Sequence, residues 1–477
     1  MDNVKKQYGI WTGIAMVVGI VIGSGVFLKA GGVLEYAGGD LRLSLLAWFI
    51  GGIIMIVSGF CFAIFATRIK KFNGVVDYVE VTTSKRFGYH LAWLITTLYY
   101  PIVASIVSVF AGAYFLELIG LSNASVIYEL LGDYKTYIVA FIFITIFCLL
   151  NYLAPKISAR FQVSATIIKI IPIFIIAIVG LFASLFIEDG GIINAFNHKA
   201  IDINGNTLAI NFGEAIKKTA FAYEGWVCAT SINAELKNSE RDLPRALVGG
   251  TISILIFYLI YYTGLSAILT NTNTIKYGAN APIVAFEMIF GNIGSKLFNL
   301  FIIISCLGTV NGLAISCCRG MYTMSCRNQG ICPKKFSKLG KNGSTSFLSC
   351  LFGYLVIITL LIIWYLANNN IGIFRYLSTM DEVICAIIYG IYITMYIYIM
   401  KNFKDLNFFK RFLIPTIAIL GSLFFVICGT GIFQLIATGS TESLKSFGVF
   451  LILFLIIMLP SFVFYRKENE QMNNSNN

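Results

Sequence analysis

The chain has 477 residues, of which 58% are hydrophobic and 12% charged, with a mean hydropathy of +0.81. One water-soluble core cannot bury that much apolar surface, and at ~20 residues per crossing a chain of this length leaves no room for a large extramembrane domain. The net charge of +12 sits in short loops between apolar runs and forms no continuous stripe, which excludes nucleic acid as a partner and points to a polytopic protein of the lipid bilayer.

Apolar runs bounded by charges and turn residues predict twelve transmembrane helices, near 10–30, 41–66, 89–119, 136–154, 160–187, 211–234, 246–270, 296–324, 347–367, 374–400, 409–434 and 446–465. The whole chain, 1–477, then reads as a single polytopic membrane domain of the all-α class. With the N-terminus in the cytoplasm, 24 of the 35 lysines and arginines fall in inner loops and 10 in outer ones. Both termini are therefore expected to be cytoplasmic, in a multi-pass protein of the cell membrane. The N-terminal MDNVKKQYGIWTG has no small-residue cleavage site and reads as a retained first helix. The connection 188–210, with Gly190-Gly191 and Asn204-Gly205-Asn206 as turns, reads as a loop, and the polar 468–477 as a disordered tail.

Two of the twelve segments are interrupted. The first contains Gly19, Gly23, Ser24 and Gly25, and the sixth contains Tyr223-Glu224-Gly225-Trp226 at its middle. Opening a helix in hydrocarbon frees N–H and C=O groups at a cost, unless they line a polar cavity. The exposed helix N-terminus then suits an anion and the exposed C-terminus a cation, so a zwitterion such as an amino acid suits both. The breaks lie about 200 residues apart, each opening a block of five segments, about 10–200 and about 211–400. That spacing predicts a 5+5 inverted repeat followed by two extra helices at about 409–465.

Polar residues within the segments are few, and each is a candidate. Asp381 and Glu382 lie several residues into the tenth segment as drawn. Neighbouring helix positions point about 100° apart, so one of the two, and not both, is expected to face a cavity, to select a cationic side chain or carry a proton. Glu224 is a further candidate for selectivity. Lys169 stands about ten residues from Arg160, too deep to reach the surface easily, and is expected to point into the bundle. Carbonyls freed by the first break and hydroxyls such as that of Ser316 would surround its ammonium. The eleven cysteines are scattered, and His90 and His198 are isolated. No metal, no cofactor and no enzyme activity are expected, and the chain has no continuous polar run for a channel.

IGSGVFLKAG in the first segment and FAYEGWVCATSINAELKNSERDLPRAL from Phe221 to Leu247 resemble the amino acid–polyamine–organocation permeases. Among these the chain is most similar to L-type amino acid transporters and their bacterial relatives. Asn311-Gly312-Leu313, Arg319 and Arg327-Asn328-Gln329-Gly330 are similar to that family's eighth span and the loop after it. The resemblance implies a LeuT-like fold and sodium-independent transport of amino acids by alternating access, through exchange or proton coupling. It also implies that Ile22, Gly23, Ser24 and Gly25 receive the substrate carboxylate and the carbonyls of Phe221, Ala222 and Glu224 its ammonium. The Phe221 side chain would be a gate, and Lys169 would stand where sodium-coupled members of the wider fold bind sodium. In two places the chain departs from the family: Ser239 replaces a proline, and Cys317-Cys318 a small hydroxyl pair. The outer loop at about 120–135 lacks the cysteine through which animal members bond a heavy chain, so no disulfide-linked heavy chain is expected. A non-transporting nutrient receptor on the same fold, and a polyamine or cationic amino acid transporter, remain alternatives.

Overall fold

The computed structural model describes residues 9–69, 74–121, 131–185, 187, 191–201, 206–227, 230, 236, 238–340 and 346–475. Among them, ten helices are long and apolar enough to cross a membrane. They are α3 (Leu41–Arg68), α5 (Lys85–Leu118), α6 (Tyr134–Leu153), α7 (Pro155–Leu181), α9 (Ser239–Leu269), α10 (Asn292–Ser325), α11 (Phe347–Asn368), α12 (Met380–Asn402), α13 (Phe409–Gly429) and α14 (Glu442–Ser475). The first and sixth expected segments are not continuous. The first is split into α1 (Ile10–Val21) and α2 (Gly25–Tyr36), and the sixth opens with α8 (Phe212–Ala222) and then unwinds. A short helix, α4 (Val75–Thr82), lies between α3 and α5. Among the described residues there is no sheet, only the isolated bridges Ala37↔Ile210 and Ile201↔Thr207.

Local sequence sets where these helices begin. Asp40 accepts from Arg42 N–H at 2.9 Å, Ser84 from Phe87 N–H at 3.1 Å and Asp133 from Lys135 N–H at 2.9 Å, each satisfying a donor that the first helical turn leaves open. Pro155 starts α7 at a position where its missing N–H costs nothing. Inside α5, Ile95–Tyr99 forms one π turn, which shifts the register of the tyrosines that follow.

Burial separates centre from rim. In its most apolar stretch α5 is 89% buried and α14 17%. The exposed side of α14 carries Ile452, Leu455, Ile456, Leu459 and Val463, and that of α6 carries Ile138, Phe141, Ile142, Ile146 and Leu149, at the spacing of a lipid-facing stripe. Near their C-terminal ends α7 and α9 touch through Gly180 and Gly264. A Cβ on Gly180 would lie 2.2 Å from Gly264 Cα, so no larger residue fits this approach.

Two ends differ from the sequence reading. The tenth segment begins at Met380 rather than 374, after a 3₁₀ turn at Gly372–Leu377, so Asp381 and Glu382 occupy its first helical turn, where negative charge complements the helix dipole. The tail expected to be disordered over 468–477 continues α14 as far as Ser475, because extending a formed helix costs far less than starting one. The loop at 188–210 contains a short helix, Ile192–Asn197. Its turn residues Gly190, Asn204 and Gly205, and positions 122–130 of the loop examined for a cysteine, lie outside the described residues.

At the end of α2 Tyr36 O accepts from Asn211 N–H at 2.8 Å, and just past it Gly39 O accepts from Ala200 N–H at 2.9 Å. The two split segments are thereby tied together on the face that carries Asp40.

Candidate functional site

The first break spans three residues. Ile22 N–H still bonds Val18 O at 2.9 Å, and bonding resumes when Phe27 and Leu28 donate to Ser24 O at 3.1 and 3.0 Å. The N–H groups of Gly25 and Val26 are therefore first-turn donors without an intrahelical acceptor, at the positive end of α2. At the second break Tyr223 N–H bonds Thr219 O at 3.1 Å and Glu224 N–H bonds Phe221 O at 3.3 Å. Gly225 then turns the chain at φ +104°, a conformation that glycine adopts without strain.

The breaks cross each other. A Cβ on Gly25 would lie 2.7 Å from Ala222 Cα, and one on Gly225 would lie 3.1 Å from Ile20 Cγ2. A side chain at Gly25 thus meets the backbone of the other break before it reaches any ligand. Tyr258 of α9 places its hydroxyl 2.9 Å from Ala222 O and 3.3 Å from Val21 O, sharing one proton between a carbonyl of each break. Phe221 O accepts from Glu224 N–H and Ala222 O from the Tyr258 hydroxyl, which leaves each carbonyl a second lone pair. Tyr262 Oη on Ala30 O at 3.1 Å and Tyr223 Oη on Trp48 O at 2.9 Å hold the flanks.

Lys169 is fully buried in α7 and donates to Gly19 O in the last turn of α1. The part of α10 beside it is Gly308, whose added Cβ would lie 3.8 Å from Lys169 Nζ. Ser316, expected near this ammonium, instead donates to Gly312 O of its own helix at 3.2 Å, two turns further on. The α10 hydroxyl that supports the first break is Ser305, donating to Gly23 O at 3.3 Å. The hydropathy of α10 could not reveal which serine faces the break, because the rotation of α10 against α1 and α7 is a tertiary property.

Asp381 and Glu382 both face one cation, contrary to the expected divergence. Lys29 of α2 lies 3.5 Å from Asp381 and 3.8 Å from Glu382, since a long lysine stem reaches both residues of a first helical turn. Glu382 also meets Lys217 at 3.0 Å and Lys218 at 2.7 Å, and Lys217 meets Glu214 at 3.1 Å. Three lysines and three carboxylates thus join α2, α8 and α12. Sequence reading missed the lysines, although Glu214, Lys217 and Lys218 at helical spacing in an apolar segment were a readable signal. Lys29 Nζ also sits 5.3 Å from the centroid of the buried Phe221 ring, so that ring lies directly against the network.

Tyr99, from the π turn of α5, donates to Glu224 Oε1, while Glu224 Oε2 is buried without a partner among the described residues. On the face opposite Asp40, Arg327 clasps Asp77 and Glu80 of α4, the latter at 3.2 Å.

A sequence model described as Amino acid permease matches residues 8–462. The chain is 30% identical to the serine/threonine exchanger SteT of Bacillus subtilis over 445 residues, which cover 92% of this chain and 94% of that protein. It is 24% identical to the human cystine/glutamate transporter over 330 residues, covering 68% of this chain and 62% of that protein. It is 26% identical to the mouse b(0,+)-type amino acid transporter 1 over 325 residues, covering 67% and 63%.

Proposed function

The chain belongs to the amino acid permease family, and we propose that it is a secondary transporter that moves amino acids across the cell membrane by alternating access around the crossing of the two breaks. One observation carries this reading: the free donors at Gly25 and Val26 and the carbonyls of Phe221 and Ala222 converge where Gly25 meets Ala222. A carboxylate and an ammonium on one carbon match those two ends. Relatives named as exchangers and transporters of amino acids support it.

In this reading the two broken segments add two crossings to the ten continuous helices, giving twelve, arranged as a 5+5 inverted repeat with α13 and α14 outside it. The basic loops put both termini in the cytoplasm and the Asp40 face outside. Ile22, Gly23, Ser24 and Gly25 receive the carboxylate; Phe221, Ala222 and Glu224 offer carbonyls to the ammonium. The Phe221 ring is the gate over the substrate. The lysine–carboxylate network closes the outer side and the Arg327 clasp the inner side, and the two open in turn. Lys169 places its amino group at the first break where a sodium ion would otherwise sit, so transport needs no sodium, and the substrate is exchanged or carried with a proton. No disulfide-linked heavy chain takes part.

The test is counterflow of labelled amino acids by the purified protein in liposomes, with sodium and pH gradients imposed separately. Counterflow indifferent to sodium is the expected result. Binding without counterflow would make the protein a receptor, uptake of polyamines alone would change its substrate class, and a need for sodium would remove the role given to Lys169.

A further inference from the structure

Away from the crossing, on the face that carries the Arg327 clasp, the packing of α5, α12 and α14 leaves a cavity of about 420 Å³. Two of its wall residues, Leu455 and Phe462, belong to the exposed side of α14, so it opens toward lipid. Along it α5 and α14 run antiparallel. Arg86 lies 5.7 Å from the centroid of the Tyr465 ring, His90 Nδ1 lies 2.9 Å from Ser461 Oγ, and Trp93 Nε1 donates to Ile457 O at 2.9 Å. The wall is therefore graded along the helix axis. Ser84 and Arg86 form one end, at the start of α5, and Leu94 and Phe454 close the other, about 12 Å deeper at ~1.5 Å per residue. The positive charge at the mouth is uncompensated. Lys85 and Arg86 stand in the first turn of α5, where the helix dipole is itself positive and lends them no support. A Cβ on Gly88 would lie 2.8 Å from Glu80 Cβ, so α4 packs against this turn, yet its Asp77 and Glu80 answer to Arg327. No carboxylate among the described side chains pairs with Lys85 or Arg86.

We propose that this cavity binds an anionic phospholipid, with its phosphate at Lys85 and Arg86 and an acyl chain along Leu94, Ile391 and Met458. A negative head above an apolar tail matches both ends of the cavity at once, and a basic pocket between membrane helices is where an acidic headgroup gains most. A zwitterionic lipid brings its own cation to the mouth, and a sterol places no charge there. The most apolar stretch of α14 is only 17% buried, and the acyl chain fills space that side chains leave between this helix and the bundle. The site shares no residue with the crossing and does not depend on what the protein transports.

Dioleoyl phosphatidylglycerol and dioleoyl phosphatidylcholine test this, since they share their acyl chains and differ in the head. The purified protein, stripped of lipid in detergent and offered equal amounts of both, is read by native mass spectrometry for the lipid it retains. Phosphatidylglycerol should be retained about fivefold over phosphatidylcholine, the factor that one basic residue at a membrane surface supplies. In Arg86→Gln that ratio should fall toward one. In Lys335→Gln, which removes a basic side chain outside the cavity, it should stay as in the wild type. Leu455→Trp fills the cavity from its exposed side with the mouth intact, and there retention of phosphatidylglycerol should fall to the level of phosphatidylcholine. Equal retention of the two lipids by the wild type overturns the proposal even if no variant folds. An Arg86→Gln protein that keeps the ratio, a Lys335→Gln protein that loses it, or a Leu455→Trp protein that holds phosphatidylglycerol as before does so too.

Discussion

The crossing of the two breaks and the ion-pair network beside it are neighbours, joined through Lys29 and Phe221, yet they are held together in opposite ways. At the crossing each contact is unique: one glycine against one backbone, one tyrosine proton between two carbonyls, one buried ammonium on one carbonyl. In the network each charge is shared, so that Glu382 answers three lysines and Lys29 answers two carboxylates. Unique contacts to backbone fix a geometry and have no substitute. Shared pairs leave each charge a second partner when one contact breaks, which suits a part that must open.

That contrast makes graded predictions. Gly25→Val drives a branched side chain into Ala222, and overpacking of up to about 3 kcal/mol corresponds to a loss of about 100-fold in amino acid affinity. Binding to the detergent-solubilised, folded variant measures it, and unchanged affinity would mean that the crossing is not the site. Lys169→Ala leaves the Gly19 carbonyl buried without its donor, a cost of about 1–3 kcal/mol, and counterflow should slow by about 10-fold or more with the protein still folded. A normal rate across the pH range would remove the cation from the mechanism.

In the network, Glu382→Gln should slow transport by about 10-fold or more and Asp381→Asn by less than about twofold, because the first leaves three lysines without a buried carboxylate and the second removes one contact, at 3.5 Å. Equal effects of the two amides would mean that the charges do not share load as the geometry indicates. A smaller effect follows where a contact is only trimmed. Tyr258→Phe removes one shared proton while keeping the ring, worth about 1 kcal/mol, so counterflow should drop roughly fivefold. If it fell further than in Lys169→Ala, the hydroxyl rather than the ammonium would be the main tie between the breaks.

The amino-acid sequence alone determined what depends on one dimension. Apolar length set the membrane segments, and Gly23-Ser24-Gly25 and Gly225 marked the two breaks, since hydropathy and backbone freedom are local properties. The burial of Lys169 was also legible, because depth along a helix follows from counting residues to the nearest loop. Other features waited for the fold. Lys29, Lys217 and Glu382 are remote in the chain and meet only because α2, α8 and α12 converge. Ser305 rather than Ser316 supports the first break, and Asp381 and Glu382 face a common lysine, for the same reason. The rotation and axial register of one helix against another are set by the packing of many side chains at once, and no single segment encodes them.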